Sequence, residues 1–214
     1  MNKLAFREFY RRRLPHIQVP GATYFITFRL ANSLPADILE KLSLESQRIE
    51  HSIAKISDKQ ERYRQADLEH RRLFGKLDEY LHTTTYGDFF LKDERIAALV
   101  SEALHFRDGK VYELLVFCIM PNHVHLVCTP LEKAESVCYG LSEILHSLKG
   151  RTARQANLIL SRSGTFWQDE SYDHIVRDDA ELERIVKYVV YNPVKAGLVD
   201  DWKEWKWTYC QYDL

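Results

Sequence analysis

No apolar run in this chain of 214 residues approaches the length of a membrane span, which needs ~18 or more consecutive apolar residues. The opening stretch, MNKLAFREFYRRRLPHIQ, is charged where a signal peptide would be apolar. No membrane partner is expected, and the chain is expected in the cytoplasm. Excess charge of one sign is lacking as well. There are 30 Lys and Arg against 31 Asp and Glu, so any case for a polyanionic partner has to come from local clusters. The 4 cysteines, Cys118, Cys128, Cys138 and Cys210, never form a CxxC pair and in a reducing compartment read as free thiols. Repeats and low-complexity tracts are also missing. What is present is ordinary: 45% hydrophobic and 29% charged residues, the composition of a globular chain that can bury one substantial core.

Residues 1–214 therefore read as a single domain, with residues 1–20 as a basic N-terminal arm. ATYFITFRL (22–30) alternates after the Pro20-Gly21 turn, is rich in β-branched and aromatic side chains, and predicts a strand. LPADILEKLSLESQRIEHSIAKI has helical spacing with Pro35 near its start, where the missing N–H is harmless. Residues 57–88 turn strongly polar and predict a helical excursion followed by a loop, a surface insertion. KDERIAALVSEALHFRDGK predicts an amphipathic helix ending near the Asp108-Gly109 turn. KVYELLVFCIM and HVHLVCTP predict two strands joined by a short Pro-Asn turn, an antiparallel hairpin. Residues 134–157 and 178–192 carry two more helical patterns, the second with acidic residues in its first turn, where the macrodipole favours them. The order β, α, insertion, α, β, β, α, α fits an α+β fold, a ferredoxin-like antiparallel sheet with helices on one face.

Inside the hairpin, CIMPNHVHLVCTP (118–130) sets His123 and His125 in an otherwise apolar strand. Alternate side chains of a strand share a face, so both imidazoles point one way while Val124 and Leu126 point the other. That is a two-ligand edge for a metal ion; half-exposed strand histidines are the plainer use of the same pattern. Thiolates of Cys118 and Cys128 would suit zinc, but Cys128 is three residues from His125 and alternation turns it away.

MPNHVHLV resembles the His-hydrophobic-His motif of the HUH single-strand endonucleases. YVVYNPVKAGLV resembles the tail motif of the IS200-like (Y1) transposases, in the branch called REP-associated tyrosine transposases. GATYFITFRL, ILHSLKGRTARQAN, FWQDESYDHIVRD and DWKEWKW match the same family pattern in order, and residues 57–88 match it least. The resemblance implies a metal-dependent enzyme that nicks single-stranded DNA and transfers strands through a 5′-phosphotyrosine link. By position it makes Tyr188 the nucleophile and Asn192 the third metal ligand beside His123 and His125, with Mg²⁺ or Mn²⁺ as the ion. Residues four apart on a helix share a face, which agrees with Tyr188 and Asn192 addressing one ion. Asn192 precedes Pro193 and is expected at the helix's last position or cap. Tyr191 and Tyr172 are rival nucleophiles, although the family usually has a polar residue where Tyr191 stands.

Local basic clusters supply the substrate side. Arg11, Arg12 and Arg13 form an arm suited to phosphate and groove contacts, which the resemblance assigns to a repetitive palindrome folded as a hairpin. Lys149, Arg151 and Arg154 lie along or just after one helix and could follow a DNA backbone. Arg177 shares a segment with Trp167, Tyr172 and His174, where stacking on unpaired bases is conceivable, core packing being the plainer use of the tryptophans. Lys187 and Lys195 flank Tyr188 and could stabilise phosphate or phenolate. The expected partner is single-stranded or hairpin DNA. Related transposases include homodimers that combine residues of two subunits and monomers that act in cis, and the sequence leaves both open. Two other readings stay open: a repeat-DNA-binding regulator without catalysis, and a metal-dependent phosphoesterase that activates water and has no need of Tyr188.

Overall fold

The computed structural model of the chain describes residues 19–134 and 137–214, together with the backbone of 9–11 and 15–17. In chain order the elements are β1 (Phe9–Arg11), β2 (Pro15–Ile17), β3 (Tyr24–Arg29), α1 (Ala36–Ala54), α2 (Lys59–Thr83), α3 (Glu94–His105), β4 (Tyr112–Ile119), β5 (His123–Pro130), β6 (Glu132–Ala134), β7 (Val137–Cys138), α4 (Leu141–Ile159), β8 (Tyr172–Ile175), α5 (Asp179–Val190), α6 (Asn192–Lys195) and β9 (Thr208–Cys210), with single 3₁₀ turns at Phe90–Lys92 and Trp202–Glu204. They form two compact units, one of Met1–Ala31 and Phe89–Leu214, the other of Asn32–Asp88.

The first unit is built on a 5-stranded antiparallel sheet in the order β8-β3-β5-β4-β9. Without β9, which joins as an edge, the succession β3-α3-β4-β5-α4-β8 is the ferredoxin-like arrangement that the sequence pattern implied. Alternation assigns the faces. Tyr24, Ile26 and Phe28 of β3, Val124 and Leu126 of β5, and Phe117 and Ile119 of β4 enter one core. There they meet Ile96, Ala97, Val100 and Leu104 of α3 and Leu141, Ile144, Leu145 and Leu148 of α4, each set spaced to form one apolar stripe on its helix. The Asp93 carboxylate caps α3 by accepting the Arg95 N–H at 2.9 Å, and Gly109, at φ +66°, turns the chain into β4.

Helix α5 lies on the other face of the sheet, against β4, β5 and β9, and buries Val186, Val189 and Val190. Strands β8 and β9 were not anticipated: each is short and completes the sheet only by pairing with residues far away in the chain. The helical pattern over 134–157 starts only at Leu141, because Glu132–Ala134 and Val137–Cys138 pair with each other as a small hairpin. Val137, Cys138, Tyr139 and Gly140 are weak helix formers.

In the second unit α1 and α2 pack together, and Lys76 Nζ reaches Glu45 Oε1 at 2.5 Å between them. Asp58 caps α2 by accepting the Glu61 N–H at 2.6 Å. The polar excursion expected at 57–88 thus belongs to one unit with α1. Its two ends meet where Asp88 N donates to Asn32 O at 3.3 Å. Gly87 sits there at φ +90°, and a Cβ on it would stand 1.7 Å from Asn32 O; only glycine fits. No helix among the described residues is long and apolar enough to cross a membrane.

Candidate active site

The β4–β5 hairpin closes with Met120 N donating to His123 O at 2.9 Å, so His123 is the first residue of β5. In an antiparallel pair, directly opposed residues share a face. Thr27 faces His125 and Arg29 faces His123 across the β3–β5 register, on the side of the sheet that α3 and α4 leave to α5. Both histidines are buried, at 1% and 0% exposure. That corrects the plainer expectation of half-exposed strand residues.

Each imidazole is held from behind. His123 Nδ1 lies 2.7 Å from Asn122 Oδ1, and His125 Nδ1 lies 2.7 Å from Thr27 Oγ1. Their front nitrogens converge, Nε2 to Nε2 at 3.1 Å. Neighbouring ligands of an octahedral ion that stand ~2.1 Å from it are ~3 Å from each other, so the pair fits one divalent ion. Hydrogen-bonded Nδ1 atoms are also the usual support of metal-binding imidazoles. The zinc-thiolate alternative fails. Cys128 lies in the core on the opposite face. Cys118 shares the face of His125, but its sulfur is engaged on its own strand and the edge strand, meeting Met120 Sδ at 3.6 Å and accepting the Thr208 hydroxyl at 3.4 Å.

Tyr188 reaches this face from α5. Its ring centroid is 5.6 Å from that of His125 and 5.9 Å from that of Phe25, edge-on to both, and Phe25 is itself 5.6 Å from His125. The three rings brace one another. Lys195 Nζ stands 5.8 Å over the Tyr188 ring, while Lys187 is engaged with Glu183 at 2.6 Å. Tyr191 is 50% exposed, and Tyr172 is buried edge-on to Phe25. Asn192 is fully buried, but it neither ends nor caps the helix that carries Tyr188: α5 stops at Val190, Tyr191 is its C-cap, and Asn192 opens α6. The cause is Pro193, whose missing N–H interrupts the ladder. It resumes with Lys195 N to Tyr191 O and Ala196 N to Asn192 O.

Several supporting residues escaped the sequence reading. Arg29 is buried opposite His123, and desolvation lowers its guanidinium to about 10, which leaves it charged at neutral pH. Glu181 anchors the start of α5. It accepts from Arg177 Nη2 (2.8 Å), Nε (3.0 Å) and backbone N (2.9 Å), and it lies 3.1 Å from His174 Nε2. The Arg177 bonds, ahead of the cost of burial, hold its carboxyl at about 2. The acidic first turn pointed to this, since Asp178 with Glu181 three residues on is a capping signature, and Asp178 Oδ1 accepts the Glu181 N–H at 2.7 Å.

The remaining DNA-contact expectations are dispersed. Arg151 and Arg154 are exposed on α4, whose apolar stripe covers the sheet face opposite the histidines. Lys149 Nζ donates to Gln168 O (2.9 Å), Asp169 O (3.1 Å) and Ser171 Oγ (2.5 Å). The Arg177 guanidinium is forked onto Glu181. Trp167 and His174 are buried, Trp167 donating to Thr152 Oγ1 at 2.9 Å, so both are core residues rather than stacking platforms. Arg12 and Arg13 lie outside the described residues, as does the side chain of Arg11.

Fold and site together define a ferredoxin-like palm with a paired-histidine strand faced by a helix-borne tyrosine. A family described as "Transposase IS200 like" matches residues 81–192, just over half of the chain, and the chain belongs to that family. It is similar to a Haemophilus influenzae protein named "Putative REP-associated tyrosine transposase", 29% identical over 109 residues, which are 48% of this chain and 61% of that protein. The match thus spans less than two thirds of the curated relative. Among solved structures, that of a REP-associated tyrosine transposase bound to a REP hairpin aligns with a TM-score of 0.52 over 93% of this chain and 80% of that one, at 16% identity. This likeness shows the shared α+β fold.

Proposed function

We propose that the chain is a divalent-metal-dependent enzyme that nicks single-stranded or hairpin DNA and transfers strands through a 5′-phosphotyrosine link to Tyr188. The observation that carries this reading is the Tyr188 ring 5.6 Å from that of His125, within one chain and beside the converging nitrogens. The hairpin substrate is taken from the solved relative, which is bound to one.

His123, His125 and the amide oxygen of Asn192 would hold Mg²⁺ or Mn²⁺, which when bound polarises the scissile phosphate as a Lewis acid. Tyr188 Oη loses its proton to solvent and bonds to phosphorus; the bond from phosphorus to the 3′-oxygen breaks, and that oxygen takes up a proton. A phenol of pKa ~10 needs help to do this at neutral pH. Arg29 and Lys195 would supply positive charge to the phosphate and the phenolate. The phosphodiester is exchanged rather than hydrolysed, so an incoming 3′-hydroxyl reverses the step and joins strands without ATP. Phe25 holds the tyrosine ring against its own histidine, which favours action in cis over a shared dimeric site.

The test is incubation with a single-stranded hairpin oligonucleotide and Mn²⁺, followed by denaturing electrophoresis. A protein–DNA adduct resistant to SDS is expected, lost in Tyr188→Phe and with EDTA, while DNA binding by Tyr188→Phe persists. An adduct that survives in Tyr188→Phe would move the nucleophile elsewhere, and cleavage without any adduct would favour activated water.

A further inference from the structure

We infer that Phe106, Arg107, Lys110 and Arg151 form a second contact surface, for the phosphate backbone of the DNA substrate, at the end of β4 remote from the histidines. The surface presupposes the DNA reading above and says where a long substrate is held away from the nucleophile.

Phe106 is the C-cap of α3 and is 56% exposed. Two cations lie against its ring, Lys110 Nζ at 3.9 Å and Arg151 Cζ at 5.4 Å from the centroid, so the ring fixes where both charges stand. Arg107 sets the third. It is buried, and its guanidinium donates to Ala103 O at 2.6 Å, closing the end of α3, and to Ser147 Oγ of α4 at 2.9 Å. Ser147 and Arg151 are four apart on α4 and share a face, which brings the second arginine beside the first. Burial lowers the Arg107 guanidinium, and the charge of Arg151 lowers it further. The turn that carries Lys110 is tied down by Gly109 N to Tyr112 O and Val111 N to Arg107 O, both at 2.9 Å.

Like charges gathered in this way repel unless an anion joins them. Among the described residues, Arg107, Lys110 and Arg151 form no ion pair. Asp108, next in the chain, turns its carboxylate to the Leu114 N–H at 2.9 Å. Other exposed cations of this unit are neutralised, Arg95 by Asp93 at 2.6 Å and Lys133 by Glu143 at 2.7 Å. Cation–π contact alone would account for a charge on the ring, but not for three together without a counter-ion. A carboxylate-free trio around an exposed ring, in a chain whose net charge is -1, is a local match for a polyanion. The trio cannot serve the scissile phosphate. Tyr112 opens β4, and Cys118, six residues on, pairs with His125, so at ~3.4 Å per residue the trio stands ~20 Å from the histidines along the strand. DNA longer than about six nucleotides, at ~3.4 Å per step, can reach both.

The test is fluorescence anisotropy of a labelled hairpin oligonucleotide, with a stem of about 12 base pairs, titrated with the full chain at several NaCl concentrations. Lys110→Gln combined with Arg151→Gln should flatten the slope of log K against log[NaCl] by about 1.8, two phosphate contacts at ~0.9 each, and weaken binding at least ~10-fold near 0.1 M salt. Lys41→Gln combined with Arg95→Gln removes two exposed cations already paired with carboxylates and should leave the slope as it was. Where the double variant at the trio fails to fold, Lys110→Gln alone, at an exposed position, should flatten the slope by ~0.9. A trio variant that keeps the parent's slope, or a control that flattens it equally, overturns the inference and leaves the nicking reading standing. A parent that binds no hairpin overturns both.

Discussion

Replacing Glu181 by glutamine tests how the tyrosine-bearing helix is held to the sheet. Both oxygens of Glu181 take charged or backbone donors from Arg177, and Oε1 also meets His174 of β8. The carboxyl drops from its ordinary 4.5 to about 2, and ~2.5 units at ~1.4 kcal/mol each amount to about 3 kcal/mol of differential stabilisation. The carboxylate is 5% exposed but its chief partner Arg177 is half exposed, so solvent screens part of this and the figure is an upper limit. Because the folded-state value is depressed, the contribution is complete above pH ~5 and is lost as pH falls toward ~2: about 1 kcal/mol is gone by pH 4 and about 2 by pH 3. Glu181→Gln keeps the shape but turns an amide N–H₂ toward donors. Urea unfolding of parent and variant at pH 7, 4 and 3 should show a gap of about 1 to 3 kcal/mol at pH 7 that narrows as pH falls. A variant within ~0.5 kcal/mol of the parent at pH 7, or a gap that does not narrow in acid, would refute the reasoning.

Three further outcomes follow from the same geometry. On the proposed cis reading, mixing His125→Ala chains with Tyr188→Phe chains should not restore the DNA adduct; recovery of the adduct on mixing would show a shared site. Gly87→Ala forces a Cβ to 1.7 Å from the Asn32 carbonyl at φ +90° and should cost at least ~2 kcal/mol, read as a lower urea midpoint and faster proteolysis within residues 32–88. In the native protein, iodoacetamide at neutral pH should spare Cys118 and Cys128, whose burial raises their thiols, and both should react on unfolding; rapid labelling of either without unfolding would contradict the packing described.

The palm was legible because its strands and helices carry their own periods. The alternation of ATYFITFRL and of the hairpin, and the apolar stripes of α3 and α4, are local patterns that tertiary packing then used unchanged. Strands β8 and β9 were illegible for the opposite reason, being only 4 and 3 residues long, too short for a period to declare itself. Residues 134–140 misled because helical spacing in the segment beyond them was extended backward across weak helix formers. The break at Tyr191 was half visible, since Pro193 announced an interruption but not that a new turn would begin at Asn192.

By itself the sequence determined which residues share a side of the strand, because HVH puts two imidazoles on one face whatever surrounds them, and a tyrosine motif late in the chain can be matched without coordinates. Only the tertiary structure decided what those residues touch. Which hydroxyl and which amide stand behind the imidazoles depends on strand register. The arrival of Tyr188 on their side depends on α5 crossing to the sheet face that α3 and α4 leave open, and that choice is made by packing between residues more than 60 positions apart in the chain.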